Sequence, residues 1–191
     1  MAMSDDVAPV LRLRTERLLL REFRPEDRTP FAALNADPDV AATLSRALTS
    51  EESDAFADAI ERHWIDDGFG LWALERLWDG AFLGFAGLSV PSWSPVPGIE
   101  IGWRLARGAW GLGYATEAAR ATLGFAFGTL RLGALVSLTA ATNTRSRAVM
   151  ARIGMTHDPA SDFAHPRLAA DHPLSAHVTY RLSRDDWLAA R

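Results

Sequence analysis

The sequence predicts an α/β (α+β) fold: helices flanking one sheet within a single domain of 191 residues. Three observations carry this expectation. Asp79-Gly80 separates two apolar runs of strand length, 69–77 and 81–90, and such a pair between such runs is a hairpin signal. A strand-like run at 99–105 passes through a glycine turn into an alanine-rich helix. A buried run at 134–141 leads through a short helix to an alternating run at 177–182.

In chain order, residues 1–14 are expected to be a flexible N-terminal segment, and 17–23 the first strand. Arg24-Pro25-Glu26-Asp27 opens a helix, with Pro and two acids in its first turn, that buries Phe31 and Leu34. A short helix covers 40–44. Thr49-Ser50-Glu51-Glu52 carries capping chemistry for a longer one, which places Phe56, Ala59, Ile60, His63 and Trp64 on one face. His63 on the flank of that stripe reads as structural. Asp67-Gly68 closes the helix, and the hairpin follows. The proline-bearing stretch 91–98 is a loop, and 99–105 is the fourth strand. The helix after the glycine turn runs to about 127, with Ala115, Ala118, Ala119, Thr122, Leu123 and Ala126 to one side. Strand 134–141 is the fifth. Gly154 stands where a helix C-cap glycine belongs. Residues 155–157 read as a short strand, 158–173 as a polar loop, 177–182 as the last strand. Ser183 caps a terminal helix.

Composition excludes several functions. Hydrophobic residues make up 48% and charged residues 23%, ordinary values for a globular chain. Net charge is −4, which argues against a nucleic-acid partner. The absence of cysteine removes disulfides, thiol nucleophiles and Cys-ligated zinc. No run approaches the roughly 20 apolar residues of a membrane span, and residues 1–6 are polar and acidic, unlike a signal peptide. A cytoplasmic protein without a membrane partner is expected. All 20 basic residues are Arg, which we attribute to base composition of the genome.

The stretch Trp110-Gly111-Leu112-Gly113-Tyr114-Ala115-Thr116-Glu117-Ala118 organises the rest. Glycine accepts backbone angles other residues resist and lets a ligand approach the main chain. The helix that follows offers unpaired N–H groups and the positive end of its dipole, a ready phosphate or pyrophosphate site. Thr116 adds a hydroxyl. A bare Gly-x-Gly before an ordinary helix is the competing reading, and the surroundings decide between them. A Rossmann reading fails, because neither a further Gly-x-x-Gly step nor an acid some 20 residues on is in place.

The surroundings are an acid at Glu100 on the preceding strand, and Asn143-x-x-Ser-Arg-x-Val-Met-x-x-Ile-Gly-Met after the next one. Together with Thr15-Glu16-Arg17-Leu18-x-Leu20-Arg21, they make the chain resemble the GNAT superfamily of acyl-CoA-dependent N-acetyltransferases. The likeness is strongest to the branch with the ribosomal-protein N-terminal alanine acetyltransferases and spans about 15–182. It implies a mixed, mostly antiparallel sheet of six to seven strands, splayed between the fourth and fifth, with acetyl-CoA as co-substrate. By the same resemblance, main-chain groups of Trp103, Arg104 and Leu105 hold the pantetheine arm. Amides from Gly111 to Ala115, with Trp110 and Thr116 beside them, take the pyrophosphate, and Asn143 bonds the pantetheine. The phosphate loop departs from the family pattern at Gly108, where Arg or Gln is common, which leaves the contribution of Arg107 open.

For the chemistry, the resemblance implies Glu100 as a base acting through water, unless strand alternation turns it to solvent. A main-chain N–H near Leu105 would take the oxyanion. The family's frequent tyrosine acid is replaced by Met150. Ser146 either donates to the leaving thiolate or belongs only to its helix terminus, with Tyr180 and water as other donors. Three His and two Asp crowd 162–177, but in an irregular loop without zinc-ligand spacing, so no metal is expected and the loop is assigned to acceptor selection. Residues 40–64 form the opposite wall, and the Trp93 loop a lid. The acceptor is a small-molecule or peptide amine. A catalytically silent acyl-CoA sensor and a succinyl transferase, the latter needing a basic residue such as Arg104 at the acyl end, remain as alternatives. The oligomer is a monomer or a homodimer.

Overall fold

The computed structural model describes residues 10–191. Of the N-terminal segment expected to be flexible, residues 1–9 lie outside the described ones. Its end is paired: β1 (Leu13–Arg14) runs antiparallel to β2 (Leu18–Arg21). Thereafter come α1 (Arg28–Ala36), α2 (Pro38–Ala41), α3 (Ser50–Asp67), β3 (Leu71–Arg76), β4 (Phe82–Ser89) and β5 (Glu100–Leu105). The second half holds α4 (Tyr114–Leu123), β6 (Ala134–Ala140), α5 (Thr144–Arg152), β7 (Thr156–His157), β8 (Phe163–Ala164), β9 (Ala176–Ser183) and α6 (Arg184–Ala189).

All described strands join one sheet in the order β1-β2-β3-β4-β5-β6-β9-β7, with β8 on β9. The sheet has nine strands against the six to seven expected; the two unforeseen pieces, β1 and β8, are two residues each and carry too little pattern to read. Every pairing is antiparallel except β5 with β6, which is parallel through the single register pair Glu100–Val136. β6 then pairs with β9 over its whole length, from Ala134–Ser183 to Ala140–His177. The sheet therefore opens just past Glu100, as the resemblance implied.

Local chemistry explains most boundaries. Thr49 and Glu52 form the reciprocal capping box at the start of α3, and Gly68 ends it in the left-handed region, φ 71°. On α3 the buried positions are Ser53, Ala57 and Ile60; Ala59, expected inward, is exposed. The inward stripe runs instead through Ala57, two residues earlier and on the other side of the helix. α4 ends in a π-helical stretch, Gly124–Thr129, which buries the consecutive residues Phe125, Ala126 and Phe127. The wider turn lets three neighbours face inward where an α-helix would turn one out.

The two sheet faces are covered differently. α4 packs on one, with Ala118, Ala119 and Leu123 against Ile101, Leu105, Leu88 and Leu20. On the other, Phe23, Phe31, Ile60 and Phe85 form a separate cluster under α1 and α3. Arg21 is buried there between two acids, with Nη1 2.6 Å from Asp27 Oδ2 and Nε 2.6 Å from Glu75 Oε2.

Candidate active site

The opening between β5 and β6 is the start of a groove of about 2060 Å³. How β5 aims its groups decides what the groove offers. Ile99 O accepts from Val136 N, and Ile101 O accepts from the Ser137 hydroxyl at 2.9 Å, so the main chain of odd-numbered residues points towards β6. Successive residues of a strand alternate. The N–H and C=O of Trp103 and the N–H of Leu105 thus face the opening, and Leu105 O accepts the Trp110 indole N–H at 2.7 Å. The main chain of Arg104 points the other way: a Cβ placed on Gly84 of β4 would fall 2.1 Å from Arg104 O. Of the three residues expected to hold a ligand strand through the backbone, two are aimed to do so, and Arg104 is spent on β4.

Side chains of β5 alternate likewise. Glu100, Gly102 and Arg104 share the face under α1 and α3, opposite the α4 side where Ile101 and Leu105 are buried. Glu100 is half-buried at the bottom of the groove, where one oxygen accepts the Leu138 N–H at 3.3 Å. Burial pushes its carboxyl up from 4.5 to about 7, against a smaller opposing effect of that N–H. Of the two orientations open to Glu100, the structure has the inward one.

At the other end of β5, Gly111 and Gly113 adopt φ of 74° and 85°, and Gly113 is the residue from which α4 starts. Only glycine enters that region freely. A Cβ on Gly111 would meet no atom within 4 Å, so the hollow of the turn is open. Gly111, Gly113, Tyr114, Ala115 and Thr116 all line the groove; Leu112 is turned out, 50% exposed. Arg107 and Arg145 stack their guanidinium groups on Trp110, 5.0 and 4.5 Å from its ring. Both are beside the turn, and Arg107 Nε also donates to Asp39 Oδ2 at 3.1 Å, so part of its charge is met within the protein.

The turn is braced by a pair the sequence reading did not find. The Glu117 carboxylate accepts from the Thr15 hydroxyl at 2.6 Å, Arg17 N at 2.8 Å and Arg17 Nε at 2.7 Å, and Arg17 Nη1 reaches Leu112 O at 3.0 Å. Burial alone would raise the Glu117 carboxyl, but these donors outweigh it and hold it below the usual range. The signal was present in the Thr15-Glu16-Arg17 motif and in Glu117, which nothing local connects across 100 residues.

Asn143 caps α5. Its side-chain oxygen accepts Ser146 N at 3.2 Å, and its amide donates to Thr139 Oγ1 and Ser146 Oγ at 3.0 and 3.1 Å. The amide donors are thus used internally, and the oxygen keeps one acceptor site for a ligand. Because Ser146 Oγ accepts from Asn143, its own proton is left to donate into the groove. Tyr180 does not line the groove. It is 8% exposed, stacked on His157, with its hydroxyl 3.4 Å from Arg147 Nε, and so falls away as a proton donor.

The outer walls come from the two regions singled out for the acceptor. Val40, Leu44 and Phe56 line one side, and Trp93, His165 and His177 the other. Trp93 stacks on His165, ring centroids 4.6 Å apart at 18°. Burial lowers the affinity of both histidines for a proton. Asp162 is instead structural, accepting Thr179 N at 2.9 Å and facing His157. Among the described residues no cluster of three His, Asp or Glu could hold a metal, and no helix is long and apolar enough to cross a membrane.

A mixed sheet parted beside an acid, with a glycine turn opening a helix at the same groove, defines the acetyltransferase class of fold. The acetyltransferase (GNAT) domain profile matches residues 17–156. The chain belongs to the GNAT acetyltransferase family. It is 34% identical over 145 residues to the uncharacterized protein YkkB of Bacillus subtilis, covering 75% of this chain and 84% of that one. It is 31% identical to the FsC-acetyl coenzyme A-N(2)-transacetylase of Aspergillus fumigatus, covering 92% of this chain and 77% of that one. Among solved structures, an acetyltransferase from Agrobacterium tumefaciens superposes with a TM-score of 0.75 at 30% identity, covering 91% and 94%. The ribosomal-protein-S5-alanine acetyltransferase from Vibrio fischeri, 15% identical, shares the fold with a TM-score of 0.74 over 93% and 98%.

Proposed function

We propose that the chain is an N-acetyltransferase that moves the acetyl group of acetyl-CoA to a primary amine in a direct ternary complex. The observation that carries this is Glu100: a carboxyl pushed up to about 7, on the groove floor where β5 and β6 part. Such a group is half ionised near neutral pH, suited to general-base work. The name of the Aspergillus fumigatus relative includes acetyl coenzyme A, which supports that donor here. The donor supplies a thioester carbonyl. Trp103 and Leu105 main-chain groups align its arm in the manner of an added strand, and N–H groups at Gly113 to Thr116 meet its phosphates, with Arg107 and Arg145 adding charge.

Glu100 takes the amine's proton through a water. An α-amine of pKa near 8 needs only about 1 kcal/mol to be neutral at pH 7, a lysine side chain roughly 4–5. A single carboxylate matches the first task, which favours an α-amine or another amine of low pKa. A groove-facing main-chain N–H of β5 nearer Glu100, such as that of Trp103, stabilises the oxyanion, and the Ser146 hydroxyl donates a hydrogen bond to the departing sulfur, which ends protonated by the proton the amine gave up.

The test is calorimetry with acetyl-CoA and coenzyme A, then thiol release against a panel of amines including short peptides. Micromolar binding with release on one amine class is expected. Tight binding with no release on any amine would make the protein an acyl-CoA sensor, and no binding at all would defeat the phosphate assignment of the glycine turn.

A further inference from the structure

Two arginines are held inside this fold, and they are treated differently. Arg21 lies between Asp27 and Glu75. Arg104, half-buried in the groove wall, has no acid. Its Nη1 donates to Asn35 Oδ1 at 2.7 Å, and Phe56 and Phe85 flank it at 5.6 and 5.3 Å. Nothing charged offsets its burial, which lowers the guanidinium to about 10. A desolvated cation without an anion is costly, and such groups are normally paired.

The arrangement around it is built. Asn35 is fully buried, and its amide donates to the equally buried Ser53 hydroxyl at 2.8 Å, which fixes the oxygen that orients Arg104. Nε and Nη2 of Arg104 have no protein partner among the described residues, and neither is sealed from the groove. Between Arg104 and Glu100, on the same face of β5, stands Gly102, where an added Cβ would meet nothing within 4 Å. The space from base to guanidinium is open.

Resting on the N-acetyltransferase reading above, we propose that Arg104 is the anion end of the acceptor subsite, and that the amine substrate carries a carboxylate bound by Arg104 Nε and Nη2. Arg104 faces α1 and α3, across the sheet from α4 and the glycine turn, which places it with the acceptor walls. Four strand residues span about 13 Å, so amine and carboxylate are separated by several bonds. A short peptide with a free α-amine and a free carboxylate fits best; an ω-amino acid has the spacing, at the roughly 4–5 kcal/mol that neutralising an alkylamine costs at pH 7; the adjacent pair of a free α-amino acid does not fit. A carboxylate on the acyl group, as in succinyl-CoA, offers the same chemistry from the donor side.

The experiment compares acceptors that differ only in the anion: triglycine with triglycinamide, and an ω-amino acid with its carboxamide. Thiol release from acetyl-CoA should favour the acids by about 10- to 100-fold in kcat/KM, carried by KM, the worth of one charge-assisted pair. R104Q should bring the acids down to the level of the amides, and R104K should retain part of the preference. N35D, which sets a resident carboxylate beside the guanidinium, should erase the preference with Arg104 still in place. Equal kcat/KM for acid and amide in the wild type would overturn the proposal. So would an R104Q effect seen only between succinyl-CoA and acetyl-CoA, which would move the anion to the donor. If no amine releases thiol, the enzyme reading fails separately; calorimetry of N-acetyltriglycine against its amide on coenzyme-A-saturated protein then reads the subsite alone. Tighter acid binding lost in R104Q would keep it, and equal or absent binding would reject it.

Discussion

Replacing Glu100 with Gln should make the protein more stable and less active, with the first effect switched by pH. The native carboxyl titrates at about 7 rather than 4.5 because burial penalises its charge. The gap corresponds to about 3 kcal/mol. Between those two pH values the native state keeps a proton the unfolded chain has lost, so stability falls as pH rises through the interval. Below about pH 4.5 both states are protonated and nothing is lost; above about pH 7.5 the full cost is present. Gln never carries the charge, and its amide oxygen can still accept the Leu138 N–H that Glu100 accepts at 3.3 Å. E100Q should therefore match the wild type near pH 4.5 and exceed it by up to about 3 kcal/mol near pH 8.5. For a chain of this size that is roughly 6–12 °C in Tm.

Melting curves at several pH values, paired with thiol release, measure both sides. With an α-amine of pKa near 8, the wild-type kcat/KM should climb with a slope near two below about pH 7, near one from there to about pH 8, and level off above it. E100Q should lose about 10²-fold or more and keep only the limb that belongs to the amine. The two outcomes fail independently. A Tm difference that does not grow with pH would show that the carboxyl is not desolvated. A rate that survives the substitution would remove Glu100 as the base whatever its pKa.

Other substitutions probe what holds the site in place. Gly113→Val should cost about 1–2 kcal/mol for a side chain at φ 85° and weaken acetyl-CoA tenfold or more by calorimetry; undiminished binding would put the phosphates elsewhere. Glu117→Gln, which loosens Thr15 and Arg17, should cost about 2 kcal/mol in urea unfolding and also weaken acetyl-CoA, because Arg17 carries the brace on to Leu112 O. Asp27→Ala leaves the buried Arg21 with only Glu75 and should cost about 3–5 kcal/mol; a loss under 1 kcal/mol would mean that water replaces the carboxylate.

What the sequence disclosed was mostly short-range. The hairpin at Asp79-Gly80, the capping box at Thr49 and Glu52, the Ser183 cap and the Gly68 and Gly154 stops each depend on a few consecutive residues, and each stands where it was expected. The glycine turn was legible for the same reason. The groups that brace and aim the site were not. Arg17 and Glu117 meet across 100 residues, Asn35 and Arg104 across 69, and each pair includes residues with sound local explanations of their own. The π-helical end of α4 was also hidden, because Phe125, Ala126 and Phe127 fit no single helical face.

The decisive hidden quantity was the phase of β5. Its six residues read plainly as a strand, and period 2 follows from that. Which set faces which way depends on the register with β4, fixed by contacts such as the close approach of Gly84 to Arg104 O and the pairing of Ser89 with Glu100. A shift of one residue would have turned Trp103 towards α1 and α3, and Glu100 and Arg104 into the apolar packing under α4. It would also have aimed the Arg104 main chain, rather than that of Trp103 and Leu105, at the opening. One register thus sets the placement of Glu100, of the groove-facing main chain of Trp103 and Leu105, and of the Arg104 guanidinium together. Gly84→Ala, whose Cβ would fall on Arg104 O, should for that reason lower acetyl-CoA affinity by calorimetry and thiol release together; a loss of one alone would show that the register is unmoved.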